Sequence, residues 1–105
     1  MNRIDPSLAS ADPLRLAEQI GQLEGHPFLH LDMEDGNFVP NLTFGLKTVQ
    51  AVAAYADQEL DAHLMVTDPG GYIETLLDAG VQRIAFHIEA APYPAVYLNR
   101  IRERG

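Results

Sequence analysis

Cysteine is absent from the 105 residues, so disulfides and thiolate chemistry are excluded and the redox compartment is left open. Cations are scarce as well. Lys and Arg number 7 against 15 Asp and Glu, a formal net charge of −8. That balance argues against nucleic acid or an anionic membrane surface as a partner. An anionic substrate would need local donors instead, such as backbone amides at a helix start. No apolar run approaches the ~18 residues of a membrane span, and the opening Met1-Asn2-Arg3-Ile4-Asp5-Pro6 has no apolar core of a secretory leader. The expected location is therefore cytoplasmic, with the sequon Asn41-Leu42-Thr43 a coincidence. Low-complexity and linker stretches are also lacking, so a single domain is expected over residues 1–105.

What is present is an ordinary globular composition, 47% apolar and 21% charged, arranged as short apolar runs alternating with amphipathic segments. The first strand is expected over Ile4 to Leu8. Asp12-Pro13 then supplies an N-cap and a proline at the first helical position, opening a helix with Leu16, Ile20 and Leu23 on one face and an end near Gly25. The second strand is predicted from Phe28 to Met33, followed by an acidic loop. A helix from Leu46 to Ala56 presents Val49, Val52, Ala53 and Ala56. The third strand is expected over Leu60 to Val66. Asp68-Pro69-Gly70-Gly71 starts a helix with Ile73, Leu76 and Leu77 inward, closed by Ala79-Gly80. The fourth strand is expected over Arg83 to Ile88, and a last helix from Pro94 to Arg104 with Leu98 and Ile101 on its apolar side.

Such βα repetition with short connections implies parallel strands and right-handed crossovers. A doubly wound nucleotide-binding sheet should carry a glycine-rich turn after its first strand, and Ala9-Ser10-Ala11-Asp12 has no glycine. Polar residues gather instead at the C-terminal ends of several strands, where barrel enzymes keep their chemistry. The expected fold is thus α/β: the N-terminal half, (β/α)4, of a TIM (β/α)8 barrel with parallel strands, a single partial domain of its first four βα units.

Successive strand residues point to opposite faces, so His30 and Asp32 share one face, as do Asp61 and His63 on the next strand. His87 and Glu89 follow on the fourth, and Ser7 lies on the first. A lone histidine in a strand is ordinarily a satisfied core residue. Three at three strand ends, each with an acidic residue two positions away, point to a site. Two imidazoles and a carboxylate on neighbouring strands suit one divalent ion, Zn²⁺, Fe²⁺, Mn²⁺ or Co²⁺. Such an ion could polarise a carbonyl and hold the enediolate formed when the adjacent carbon loses its proton, with Asp32 as the base. On residue type alone, Glu34 and Asp35 read as a solvated loop, Met33 and Met65 as core or pocket wall, His26 as surface, and Tyr93 and Tyr97 as packing residues. Asp57, Glu59, Asp68 and Asp78 read as caps and solvated faces.

Four segments carry a resemblance. Pro6-Ser7-Leu8-Ala9-Ser10-Ala11-Asp12 is similar to a P-S-I-L-S-A-D strand. The run from His30 to Asn41 matches H-x-D-x-M-D-G-x-F-V-P-N at all but one fixed position. Asp61 to Met65 matches D-x-H-L-M, and His87 to Glu89 matches H-x-E. In these motifs the chain resembles the ribulose-phosphate 3-epimerase family. The resemblance implies a metal-dependent isomerase of carbohydrate metabolism, placed in the pentose phosphate pathway. It would invert C3 of a ketose phosphate (D-ribulose 5-phosphate to D-xylulose 5-phosphate or a related sugar phosphate) by proton abstraction. It further implies His30, Asp32 and His63 as metal ligands, Asp32 as one acid/base, and Ser7, His63 and Met65 as substrate contacts. Glu34, Asp61, His87 and Glu89 are candidates to support those ligands or to form a lid.

Two departures accompany the resemblance. The family's methionine before Asp-Gly is Glu34 here, where an apolar lid is expected. A divergent branch associated with sugar-utilisation gene clusters is similar in that acidic residue and in Thr43-Phe44-Gly45-Leu46-Lys47-Thr48-Val49-Gln50, which implies another ketose phosphate such as a hexulose 6-phosphate. The family's second catalytic aspartate, also its fourth metal ligand, and its glycine-rich phosphate loops have no counterpart in residues 1–105. This half alone is therefore expected to be inactive or nearly so. Self-association or a C-terminal half-barrel is the expected partner, since an open half-barrel leaves two parallel edges. The alternative is a non-catalytic half-barrel relic, or a metal- or sugar-phosphate-binding module that needs a partner chain.

Overall fold

The computed structural model of the chain describes residues 6–91 and 93–104. Three parallel strands, β1 (Phe28–Glu34), β2 (Glu59–Met65) and β3 (Arg83–Phe86), lie in the order β1-β2-β3. Four helices accompany them: α1 (Leu16–Gln22), α2 (Leu46–Tyr55), α3 (Gly70–Ala79) and α4 (Pro94–Arg104). This parallel α/β arrangement is consistent with the N-terminal half of a TIM barrel. None of the described helices is long and apolar enough to cross a membrane.

Alternation along the strands divides the sheet into two unlike faces. Leu29, Leu31 and Met33 of β1 and Leu60, Ala62 and Leu64 of β2 are buried together with Val49 and Val52 of α2 and Ile73 and Leu76 of α3. The intervening residues His30, Asp32, Asp61 and His63 lie on the opposite, half-buried face. In register, His30 stands opposite Asp61, Asp32 opposite His63 and Glu34 opposite Met65. The apolar period that builds the core therefore also delivers the polar row. At the end of α3, Gly80 adopts φ +91°, and the Val81 N–H returns to the Leu76 carbonyl at 3.1 Å. This is a Schellman closure, and it carries Val81 into the core.

Several expected boundaries shift. Of the anticipated first strand, Ile4 and Asp5 lie outside the described residues, and Ser7 makes only an isolated parallel bridge to His30. Leu8 belongs to a 3-10 turn, Leu8–Ser10, because the Ser7 hydroxyl accepts the Ala9 N–H and Ala11 N–H bonds to the Leu8 carbonyl. Asp12 does cap, its carboxylate accepting the Leu14 N–H at 3.0 Å. The segment nevertheless begins as a 3-10 turn, Pro13–Arg15, and Arg15, at φ −133° and ψ 30°, separates it from α1. The last strand stops at Phe86; His87 and Ile88 run past the end of the ladder to β2. On α4 the inward residues are Tyr97 and Ile101, with Tyr97 edge-on to Phe86, while Leu98 is half exposed and Tyr93 is exposed rather than packed.

Candidate metal centre

The register of β1 and β2 brings His30, Asp32 and His63 together, with one donor atom of each within 4.8 Å of the others. Asp32 is the hub. Its Oδ1 lies 2.8 Å from His30 Nε2 and 3.4 Å from His63 Nδ1, while its Oδ2 accepts a hydrogen bond from Ser7 Oγ at 2.9 Å. The outward nitrogens of both imidazoles have partners of their own. His30 Nδ1 lies 3.4 Å from Asp61 Oδ2, and His63 Nε2 lies 2.8 Å from His87 Nε2. His87 Nδ1 in turn faces Glu89 Oε2 at 3.6 Å. Of the candidates, Ser7, His30, Asp32, Asp61, His63, His87 and Glu89 thus form one connected array. Met65 and Glu34 stand opposite each other at the C-terminal ends of β2 and β1.

The electrostatics favour a charged Asp32. Burial is the largest single influence and pushes its carboxyl up. Hydrogen bonds from Ser7 and His30, with the positive charge that His30 and His63 can carry, together outweigh burial and leave it below the usual carboxylate value. The side chains of His30 and Asp32 are each 25% exposed and that of His63 31%, which leaves the group open to an ion or a ligand. Ligand atoms arranged tetrahedrally at about 2.1 Å from an ion sit about 3.4 Å apart, which matches His63 Nδ1 and Asp32 Oδ1, while the 2.8 Å from His30 Nε2 is a hydrogen-bond length that an ion would open. Two imidazoles and one carboxylate could therefore hold one divalent ion. The donor set suits Zn²⁺, Fe²⁺, Mn²⁺ and Co²⁺ alike.

Three residues around this group were not singled out by the sequence. Thr43 Oγ1 donates to the Asp32 carbonyl at 2.7 Å and accepts the Glu34 N–H at 2.9 Å, holding the end of β1. Asp35, expected to be solvated loop, is instead a clasp. Its Oδ1 accepts the Asn37 and Phe38 N–H groups at 2.8 Å each, and its Oδ2 accepts the Thr67 N–H at 2.9 Å and the Thr67 hydroxyl at 3.2 Å. The Thr67 amide is the main reason that the Asp35 carboxyl falls to about 2. Phe38, carried on that clasped loop, places its ring 5.2 Å from the ring of His87. The signal for Asp35 is the Asp-Gly pair. A carboxylate that caps its own turn beside a glycine able to take positive φ is a turn device, and Gly36 sits at φ +74°.

The family described as the ribulose-phosphate 3 epimerase family matches residues 3–105. The ribulose-phosphate 3-epimerase of Mycobacterium tuberculosis (strain ATCC 25618 / H37Rv) is 39% identical over 102 residues, covering 97% of this chain and 44% of that protein. That of Bacillus subtilis (strain 168) is 38% identical over 107 residues, covering 100% of this chain and 49% of its own length. The cytoplasmic isoform of ribulose-phosphate 3-epimerase from Oryza sativa subsp. japonica is 42% identical over 91 residues, 85% of this chain and 40% of its own. The chain spans about half the length of the curated relatives it matches.

Proposed function

This chain belongs to the ribulose-phosphate 3-epimerase family, and on that premise we propose that it supplies the metal-binding, proton-abstracting half of an isomerase inverting C3 of a ketose phosphate. The substrate would be D-ribulose 5-phosphate or a related sugar phosphate. The observation that carries this reading is the two-sided engagement of Asp32, with Oδ1 toward both imidazoles and Oδ2 toward Ser7. A divalent ion held by His30, Asp32 and His63 would supply Lewis acidity toward a carbonyl oxygen, which makes the proton on the neighbouring carbon easier to remove. Asp32 Oδ2 is then the oxygen left to take that proton, and the Ser7 hydroxyl orients it. Ser7, His63 and Met65 are read as the substrate contacts. Glu34 stands opposite Met65, where its carboxylate replaces the apolar residue of the family's lid, and it is the position at which a related sugar phosphate would be distinguished from the pentulose.

Inversion also needs a proton delivered to the opposite face of the carbon, and Asp32 can serve one face only. The 105 residues alone are accordingly expected to exchange and epimerise poorly, and to work by closing on a further half-barrel or a second copy. The partly exposed polar face, and an edge of β3 that no other strand covers among the described residues, support that association. The name of the rice relative supports a cytoplasmic setting.

Calorimetric titration of the chain with Zn²⁺, followed by ribulose 5-phosphate, tests the reading. Binding of the ion, weakened at least ~10-fold in Asp32→Asn, supports it. A wild-type chain that binds no divalent ion overturns it. Loss of the C3 proton into deuterium oxide, followed by proton NMR, tests the expected deficit. Rapid exchange by the 105 residues alone would overturn the requirement for a second half.

A further inference from the structure

We propose that the peptide bond between Asp35 and Gly36 is a backbone-isomerisation site that the fold keeps closed, with Thr67 as its latch. When the latch opens, Asp35 converts to isoaspartate by cyclising onto the Gly36 nitrogen. Neither an ion nor a sugar takes part, so the site is separate from the metal centre and from the activity proposed above.

Asp-Gly occurs once in the 105 residues and Asn-Gly not at all. Glycine has no Cβ to shield its nitrogen, so an aspartyl side chain can reach the amide that follows it. The chemistry needs only water. Gly36 N attacks Asp35 Cγ, the amide proton is lost, and the hydroxyl of the carboxyl group departs as water, closing a five-membered succinimide. Water then adds back. Opening at the main-chain carbonyl routes the backbone through Cγ and frees the α-carboxylate. One water leaves and one returns, and nothing is oxidised or reduced.

Burial does not protect this bond. Gly36 is exposed, and a Cβ placed on it would come no closer than 3.9 Å to another atom. Hydrogen bonds occupy both reacting groups instead. The Gly36 N–H donates to the Asn41 carbonyl at 2.9 Å, which fixes the nitrogen and engages the proton it would have to lose. Asp35 Oδ1 accepts the Asn37 and Phe38 N–H groups, and Oδ2 accepts the Thr67 N–H and hydroxyl. All four favour the ionised carboxylate, whereas loss of water needs the protonated acid. Of these four, the two from Thr67 come from outside the loop, 32 residues away, and Asn37 Nδ2 reaches the Thr67 hydroxyl oxygen at 3.5 Å. Isoaspartate would lengthen the backbone by one methylene and take the carboxylate off the side chain. The clasp would then be lost, and Phe38 would leave the His87 ring that it faces at 5.2 Å.

The test keeps the 105-residue chain at pH 6, folded in buffer and unfolded in urea. Isoaspartate is counted by enzymatic methyl transfer from S-adenosylmethionine and located by fragmentation mass spectrometry. At residue 35 the folded chain should react about 10–100-fold more slowly than the unfolded one, because a carboxyl lowered from 3.8 to about 2 is protonated that much less often. Thr67→Val removes the hydroxyl and should speed the reaction of the folded chain about 2–10-fold, the worth of one hydrogen bond. Thr67→Ser keeps the hydroxyl and should match the wild type. A folded chain that reacts as fast as the unfolded one overturns the proposal. So does a Val variant no faster than the wild type, or a Ser variant as fast as the Val variant. Should the Val variant fail to fold, the folded-to-unfolded ratio of the wild type still decides.

Discussion

Ser7 Oγ donates to Asp32 Oδ2 at 2.9 Å across 25 residues of sequence, on the side of the carboxylate turned away from His30 and His63. One carboxylate is thereby presented in two directions, its Oδ1 to the imidazoles and its Oδ2 to the position where a substrate proton would be taken. Of the contacts that favour the charged form of Asp32, the Ser7 hydrogen bond has the largest effect.

In Ser7→Ala that contact disappears while burial, which disfavours the charge, remains. The Asp32 carboxyl of the metal-free chain should then titrate at a higher pH than in the wild type, read from its ¹³C carboxyl shift. An unchanged titration would show that Ser7 does not hold the Asp32 charge.

Asp35 allows a prediction about acid. Its carboxyl is lowered from an ordinary 3.8 to about 2, first by the Thr67 amide and also by those of Asn37 and Phe38. A depressed folded value means that the charged form is the one the fold prefers. The contribution of the clasp is therefore complete above pH ~4 and is lost as the pH falls through about 2. Urea midpoints measured at pH 5 and at pH 2 should differ less in Asp35→Asn than in the wild type. Equal pH dependence in the two proteins would count against the clasp.

The core makes a contrast between two apolar residues on helical segments. Ile73 is fully buried among the strands, whereas Leu14 is 93% exposed. Ile73→Ala should cost about 2–5 kcal/mol, and Leu14→Ala should stay within about 0.5 kcal/mol, both from urea unfolding. Comparable losses at the two positions would contradict the packing.

Gly80 tests the backbone alone. A Cβ there meets no atom within 4 Å, but φ is +91°. Gly80→Ala should therefore destabilise by about 1–2 kcal/mol through backbone strain without a packing defect, measurable in the same unfolding experiment. A neutral substitution would mean that the helix can end in another conformation.

A prediction about association rests on the sheet. Its polar face is partly exposed and β3 has no strand beyond it among the described residues. Sedimentation velocity should find a dimer or larger species at micromolar concentration, and a clean monomer would remove self-closure as the route to a full site.

Much of this was legible in the residues because strand periodicity is a local property. Alternation from Phe28 to Met33 and from Leu60 to Val66 is enough to put Leu and Ala on one face and His and Asp on the other. The Asp12 cap and the Ala79-Gly80 stop likewise depend only on neighbours in sequence. Errors fell where a distant contact or a local side-chain bond competed with pattern. Ser7 turns Leu8 out of an extended strand, Tyr97 takes the inward place expected for Leu98, and Asp35 gains Thr67, a partner from the next βα loop that no pattern near residue 35 announces.

By itself, then, the sequence determined the parallel α/β class, the Asp12 cap and the Gly80 helix stop, the motifs of the family and the residue types that gather at the strand ends, because each depends on spacing within a few residues. Only the tertiary structure decided which of them meet. The register of β1 on β2 sets Asp32 against His63, and the turn after β3 lays His87 on His63. The clasp of Asp35 on Thr67 holds the loop above them. Those choices depend on hydrogen bonds between segments 24 to 32 residues apart, and a one-residue slip in register would have sent the side chains of Asp32 or His63 to the other face.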